Sequence, residues 1–108
     1  MIELDNWKTQ IRKGYLELCI LALIKTHGQL YGFDLISKLE KLGLNTKEGT
    51  LYPLLNRMAE DKILLTRWQT EGNKGHPRKF YSLTKLGTEA LHAMNEEFQN
   101  MVTLLNEI

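Results

Sequence analysis

The sequence predicts a mainly α-helical domain with a small β-hairpin and a C-terminal helix built for dimerisation. Three observations carry this. Helical apolar periodicity occupies the first sixty residues in three blocks. The period then switches to strand-like runs on either side of a glycine-rich, cationic loop, "EGNKGHP". Finally, Leu91, Met94, Phe98, Met101, Leu105 and Ile108 recur at spacings of 3, 4, 3, 4, 3, an unbroken a/d heptad seam.

The first helix spans about Trp7 to Thr26. Ile11, Tyr15, Leu18 and Ala22, with the dense run from Leu16 to Ile24, cover more than one face, so burial on most sides is expected. Cys19 lies in that run as a small buried hydrophobe. "HGQLYG" breaks the helix. A second helix, about Tyr31 to Lys41, carries Leu35, Ile36 and Leu39, and Gly43 suits its left-handed end. A third starts near Asn45 or Thr46, with Asn45 and Glu48 spaced as a capping box. It runs through Leu51, Leu54, Leu55 and Met58 to about Asp61, and Pro53 inside it is expected to bend or loosen its first turns. Residues 63–70 and 78–83 form a two-stranded hairpin with a seven-residue loop, 71–77. Thr84 caps the last helix.

A chain of 108 residues is one compact unit, read as residues 1–83 for the helices and hairpin and 84–108 for the dimerisation helix. Its apolar run is too short to span a membrane, and acids precede its first lysine, unlike a secretory signal. Its single cysteine excludes an internal disulfide and a multi-cysteine metal site. The expected location is the cytoplasm. His27, His76 and His92 fall on separate elements, and no zinc-protease, phosphate-loop or Ser/His/Asp pattern is present. No catalytic residue, metal or cofactor is expected.

The net charge of +1 conceals a dipole. Residues 1–44 carry +1, residues 45–85 carry +4, and residues 86–108 carry −4. Three helices followed by a hairpin is the layout of a winged helix-turn-helix, with the hairpin loop as the wing. The third helix is then the recognition helix, which enters the major groove of double-stranded DNA N-terminus first. Lys47, Thr50, Tyr52 and Asn56 supply hydrogen bonds and charge there, while Gly49 permits close backbone approach. Gly72 and Gly75 allow the wing near a backbone, where Lys74, Arg78 and Lys79 meet phosphates. Arg57 either serves phosphate or pairs with Glu60 or Asp61. The heptad seam packs helix on helix, either back on the first helix of its own chain or, as expected here, on a second copy; such a homodimer would read two half-sites about 34 Å apart. The alternative is a winged-helix protein-interaction module without DNA, for which the cationic wing would have no use.

"YGFDLISKL" (31–39), "EGTLYPLLNRMAEDKIL" (48–64) and "GHPRKFYSLTKLG" (75–87) resemble, in order and separation, the signature blocks of the PadR family of bacterial transcription regulators. The likeness covers most of residues 15–87. It matches Tyr31 and Gly32 at the start of the second helix, Thr50 to Pro53 in the recognition helix, and Gly75, Pro77, Arg78, Lys79 and Tyr81 in the wing. It implies a promoter-binding dimeric repressor released by an effector. The single last helix resembles that of the short members. Some of those stack aromatic or hydrophobic small molecules between tryptophans at the dimer centre. Phe98 stands at the corresponding position here, with Ile11, Tyr15, Leu18 and Met101 around the same space.

Overall fold

A computed structural model describes residues 2–70 and 77–108. Its elements follow the chain as α1 (Asp5–His27), β1 (Leu30–Tyr31), α2 (Gly32–Lys41), α3 (Glu48–Glu60), β2 (Leu64–Gln69), β3 (Arg78–Leu83) and α4 (Lys85–Asn106). This is the winged helix-turn-helix expected, with one addition. The sheet has three antiparallel strands in the order β1-β3-β2. Leu30 pairs with Tyr81 and Tyr31 with Phe80. Two residues are too few to show a period of two, so β1 left no local signal.

The core is one cluster. Ile20, Leu21 and Ile24 of α1 meet Leu35 and Leu39 of α2, Leu51, Leu55 and Met58 of α3, and Leu30, Leu64 and Tyr81 of the sheet. The i, i+3, i+4 spacings of these residues set one apolar stripe per helix toward that centre. α1 departs from the expected burial. Only its C-terminal half enters the core, while Trp7, Ile11 and Tyr15 stay exposed. On its apolar side the N-terminal half of α1 faces α4.

Two helix ends share one geometry. After α2, Gly43 turns left-handed at φ 82°; its N–H donates to the Glu40 carbonyl at 3.0 Å, and the Leu44 N–H donates to Leu39 at 2.8 Å. After α3, Lys62 takes the same role at φ 65°, with Lys62 N–H on Ala59 at 3.1 Å and Ile63 N–H on Met58 at 2.9 Å. Both are Schellman ends, which satisfy carbonyls the last turn leaves free.

α3 begins at Glu48 with Lys47 in extended conformation before it and no side-chain cap. The Asn45–Glu48 capping box therefore does not form, because the helix starts after the turn that would hold it. Thr46 donates its hydroxyl to the Leu44 carbonyl at 3.1 Å instead. The Thr84 cap does form, and it does more than cap. Its hydroxyl accepts the Gly87 N–H at 2.9 Å and donates to the Lys62 carbonyl at 2.6 Å. Its own N–H donates to Ile63 at 3.1 Å. A Cβ on Gly87 would lie 2.1 Å from the Ile63 carbonyl oxygen. The start of α4 is thus seated directly on the bend between α3 and β2.

From that seat α4 runs back along α1 and beyond the core. The described chain extends 55 × 34 × 21 Å with a radius of gyration of 15.6 Å. A compact domain of this length would have a radius of about 13 Å. The excess comes from two projecting half-helices, the N-terminal part of α1 and the C-terminal part of α4.

Candidate nucleic-acid interface

α3 has two unlike sides. Leu51, Leu55 and Met58 are buried, and this apolar stripe fixes the helix to the core. Lys47, Glu48, Gly49, Thr50, Pro53, Asn56 and Arg57 are exposed. Lys47, Thr50 and Asn56 thus share an open polar surface at and after the helix N-terminus. A Cβ on Gly49 would meet nothing within 4 Å, so its surface is free for close approach. Pro53 lies inside the helix; lacking an N–H, it cannot bond the Gly49 carbonyl.

Tyr52 stands apart from this surface. It is half-buried, and its hydroxyl lies where a Cβ on Gly32 would be, 2.1 Å from that ideal position. Burial, and then the Glu48 carboxylate, push the Tyr52 phenol above its usual range. Tyr81 is pushed up by burial and then by Tyr52, which puts both phenols at one junction of α2, α3 and the sheet. Gly32 is glycine because Tyr52 fills the space its side chain would take.

Arg57 is bound by neither Glu60 nor Asp61. It pairs with Glu17 on α1. The partner lies forty residues away in sequence, beyond the reach of helix-spacing arguments. The pair is largely exposed and stabilises by at most about 1 kcal/mol, but it occupies Arg57 and ties α3 to α1.

At the root of the wing, β3 alternates its cations between two faces. Arg78 lies over the Tyr31 ring, 4.8 Å from its centroid. Tyr31 in turn contacts Phe80 at 5.5 Å and Phe33 at 6.4 Å. On the opposite face the Lys79 ammonium sits 5.8 Å from the Trp68 ring and 5.7 Å from that of Tyr81. These cation–π contacts hold two otherwise mobile side chains on rigid strands. Tyr31 and Phe80 were not among the candidate site residues. Their signal, an aromatic on each of two strands in register, is visible only once β1 pairs with β3. Lys74, with Gly72, Gly75 and His76, lies outside the described residues.

The other candidate surface is apolar. Leu91 and Met94 pack against the core, and Phe98 stacks on Tyr15 with centroids 5.6 Å apart. Further along the heptad seam Met101 is 55% exposed, Leu105 69% and Ile108 98%. Trp7, at 62%, and Ile11, at 51%, continue this surface on α1. Between the two helices lies a hollow of about 640 Å³ walled by Trp7, Ile11, Tyr15, Leu18, Phe98 and Met101. All four residues expected at an effector pocket, Ile11, Tyr15, Leu18 and Phe98, line it. Cys19 is half-buried beside Tyr15. Burial pushes its thiol above the ordinary range, with a smaller opposing effect from the Tyr15 hydroxyl. Among the described residues, no cluster of three metal-ligating side chains occurs and no helix is long and apolar enough to cross a membrane.

Comparison with known proteins agrees with this geometry. Residues 20–93 match the model of the transcriptional regulator PadR-like family. A PadR-like transcription factor from Bacteroides fragilis is 40% identical, over 95% of this chain and 98% of that one, with a TM-score of 0.80. A PadR-like transcriptional regulator from Bacillus cereus is 35% identical, over 91% and 94%, with a TM-score of 0.79. A PadR family regulator from Eggerthella lenta is only 24% identical, yet superposes with a TM-score of 0.86 over 96% and 89%; this last likeness speaks for the fold alone. Members of the family are DNA-binding regulators of transcription, not enzymes. By the family match over most of its length and by the identity of these relatives, the chain belongs to the PadR-like family of transcriptional regulators.

Proposed function

We propose that this regulator is a homodimeric, sequence-specific repressor that binds double-stranded promoter DNA and is released by a small-molecule effector. One observation carries the DNA-reading part. α3 buries its apolar stripe and leaves a polar face, Lys47, Thr50 and Asn56, open beside strand cations held in place by aromatic rings.

In this reading α3 lies in the major groove. Thr50 and Asn56 reach base edges, and Lys47 reaches phosphate. Arg78 and Lys79 meet the backbone at the wing, and Lys74 adds to them from the loop. Tyr52, wedged against Gly32, acts by setting the angle of α3 on α2 and leaves contact to its neighbours. The second subunit covers the projecting halves of α1 and α4. Burying each of Met101, Leu105, Ile108, Ile11 and Trp7 is worth roughly 1.5–3 kcal/mol, enough together to offset the entropy of association.

The hollow between α1 and α4 faces the same surface, so a planar aromatic or hydrophobic compound bound there would sit at the subunit boundary. Tyr15 and Phe98 offer it ring faces. Binding to the dimer alone would shift the spacing of the two α3 helices, and with it the fit to two half-sites.

Hydroxyl-radical footprinting on the DNA upstream of the protein's own gene tests the proposal. Two protected half-sites about 34 Å apart, related by a dyad, are expected. A single protected site, or protection that spreads evenly along the duplex, would contradict it.

A further inference from the structure

A second hollow, of about 430 Å³, lies on the side of α1 that faces away from the apolar surface. Trp7, Ile11, Tyr15 and Leu18 run along one side of α1; at about 100° per residue, Thr9, Arg12, Lys13 and Leu16 run along the other. Opposite them stand Leu44 to Lys47, the connection into α3, and Thr50. Leu16 and Leu44 form the floor. Arg12, Lys13 and Lys47 supply three positive charges from two separate elements, and no acid lines the space.

These charges are uncompensated. Among the described residues, Arg12, Lys13 and Lys47 are in no ion pair. Glu17, one turn beyond Lys13, is the acid best placed to neutralise it, and Arg57 takes that carboxylate. Three like charges drawn around one hollow repel one another. Thr50 adds a hydroxyl donor at the rim, whereas the Thr9 hydroxyl already donates to the Asp5 carbonyl at 2.9 Å. An anionic group with oxygen acceptors would relieve the repulsion and use both kinds of donor.

We propose that this hollow is a phosphate site. It seats the DNA backbone beside the half-site read by α3, and makes α1 a third DNA-contacting element with Arg12 and Lys13 as its contacts. The inference rests on the DNA-binding reading above. Its position follows from the shared residues: Lys47 and Thr50 belong both to the recognition face and to the wall of the hollow. A strand leaving the N-terminal end of α3 meets this hollow next. The same hollow would accept a free phosphate, so the two sources of phosphate must be told apart by experiment.

Arg12 and Lys13 are exposed side chains, so R12Q/K13Q should fold. Anisotropy titrations of the full-length dimer with the upstream duplex and with a scrambled duplex, across a salt series, give the number of phosphates neutralised. Each contact contributes about −0.9 to the slope of log K against log salt. R12Q/K13Q should make the slope shallower by about 1–2 units and weaken both duplexes by the same factor, because phosphate contacts carry no sequence information. Three results would overturn the proposal. The first is an unchanged slope in R12Q/K13Q while R78Q/K79Q lowers it; that leaves the DNA-binding reading intact and removes only α1. The second is a loss confined to one duplex. The third is a thermal midpoint raised by inorganic phosphate at constant ionic strength, and abolished in R12Q/K13Q with the DNA slope unchanged; the hollow then takes free anions and not the backbone. If neither variant changes any slope, or the wild type binds no duplex, the DNA-binding reading fails first.

Discussion

Replacing Gly87 by alanine should unseat α4. A Cβ at this position would stand 2.1 Å from the Ile63 carbonyl oxygen, against the 3.0 Å below which such contacts are essentially never found. The obstacle is backbone, which cannot rotate away, so helix and bend must part by about an ångström. Overpacking of this kind costs about 1–3 kcal/mol. The same movement stretches the Thr84–Gly87 cap bond of 2.9 Å, worth about 1 kcal/mol. Alanine's better helix propensity returns about 1 kcal/mol. The net loss is about 2 kcal/mol, or a fall in midpoint of roughly 8–16 °C for a domain of this size. Thermal and urea unfolding followed by circular dichroism, at one fixed protomer concentration, measures it. Gly49→Ala is the matched control, since its Cβ meets open space and only the propensity gain applies. The reasoning is refuted if Gly87→Ala is as stable as Gly49→Ala or as the wild type.

Other perturbations separate the surfaces. Gly49→Ala should keep or raise stability while weakening binding to the upstream duplex, measured side by side on one preparation. Tyr31→Leu removes the ring under Arg78; the salt slope of DNA binding should fall by about 0.9, and no further fall should occur when it is combined with Arg78→Ala. Phe98→Glu should give one-chain mass by light scattering, with helix content retained and DNA affinity lost. Cys19 should resist iodoacetamide in the folded state near pH 8 and react after unfolding. Its raised thiol pKa favours the protonated form in the fold, so that contribution to stability is present below the unfolded thiol's pKa and is lost as pH rises beyond it.

The sequence exposed what is periodic and local. The apolar stripes of α2 and α3 and the Thr84 cap are encoded within a turn or two and stand in the structure; the heptad row of α4 begins on the core of its own chain through Leu91 and Met94, and the helix ends at Asn106, short of Ile108. The two strands of the hairpin were legible from the change of period. What escaped depends on contacts distant in sequence. β1 has no pattern of its own and exists by pairing with β3. Arg57 had two acids within four residues and joined Glu17 instead, because the packing of α3 on α1 aims it there. Asn45 and Glu48 had capping-box spacing, yet the helix begins where the turn from α2 delivers the chain. The half-exposure of α1 could not be read from composition, since a helix apolar on several sides looks the same whether its second partner is its own chain or another. Tyr52 carries the polar tip of a contact residue, and only the hydrogen-only side chain of Gly32 shows where its ring goes.

The central claim is that the polar face of α3 reads sequence. Anisotropy of a labelled duplex from upstream of the protein's own gene, beside a scrambled duplex at physiological salt, tests it most directly. The account predicts binding about 10³-fold or more tighter to the upstream duplex, collapsing to the scrambled value in a Thr50→Ala/Asn56→Ala variant that remains a folded dimer. No binding to any duplex by a folded dimer would contradict it and make the domain a protein-interaction module. Undiminished discrimination in that variant would contradict it as well, and move the reading of sequence away from α3.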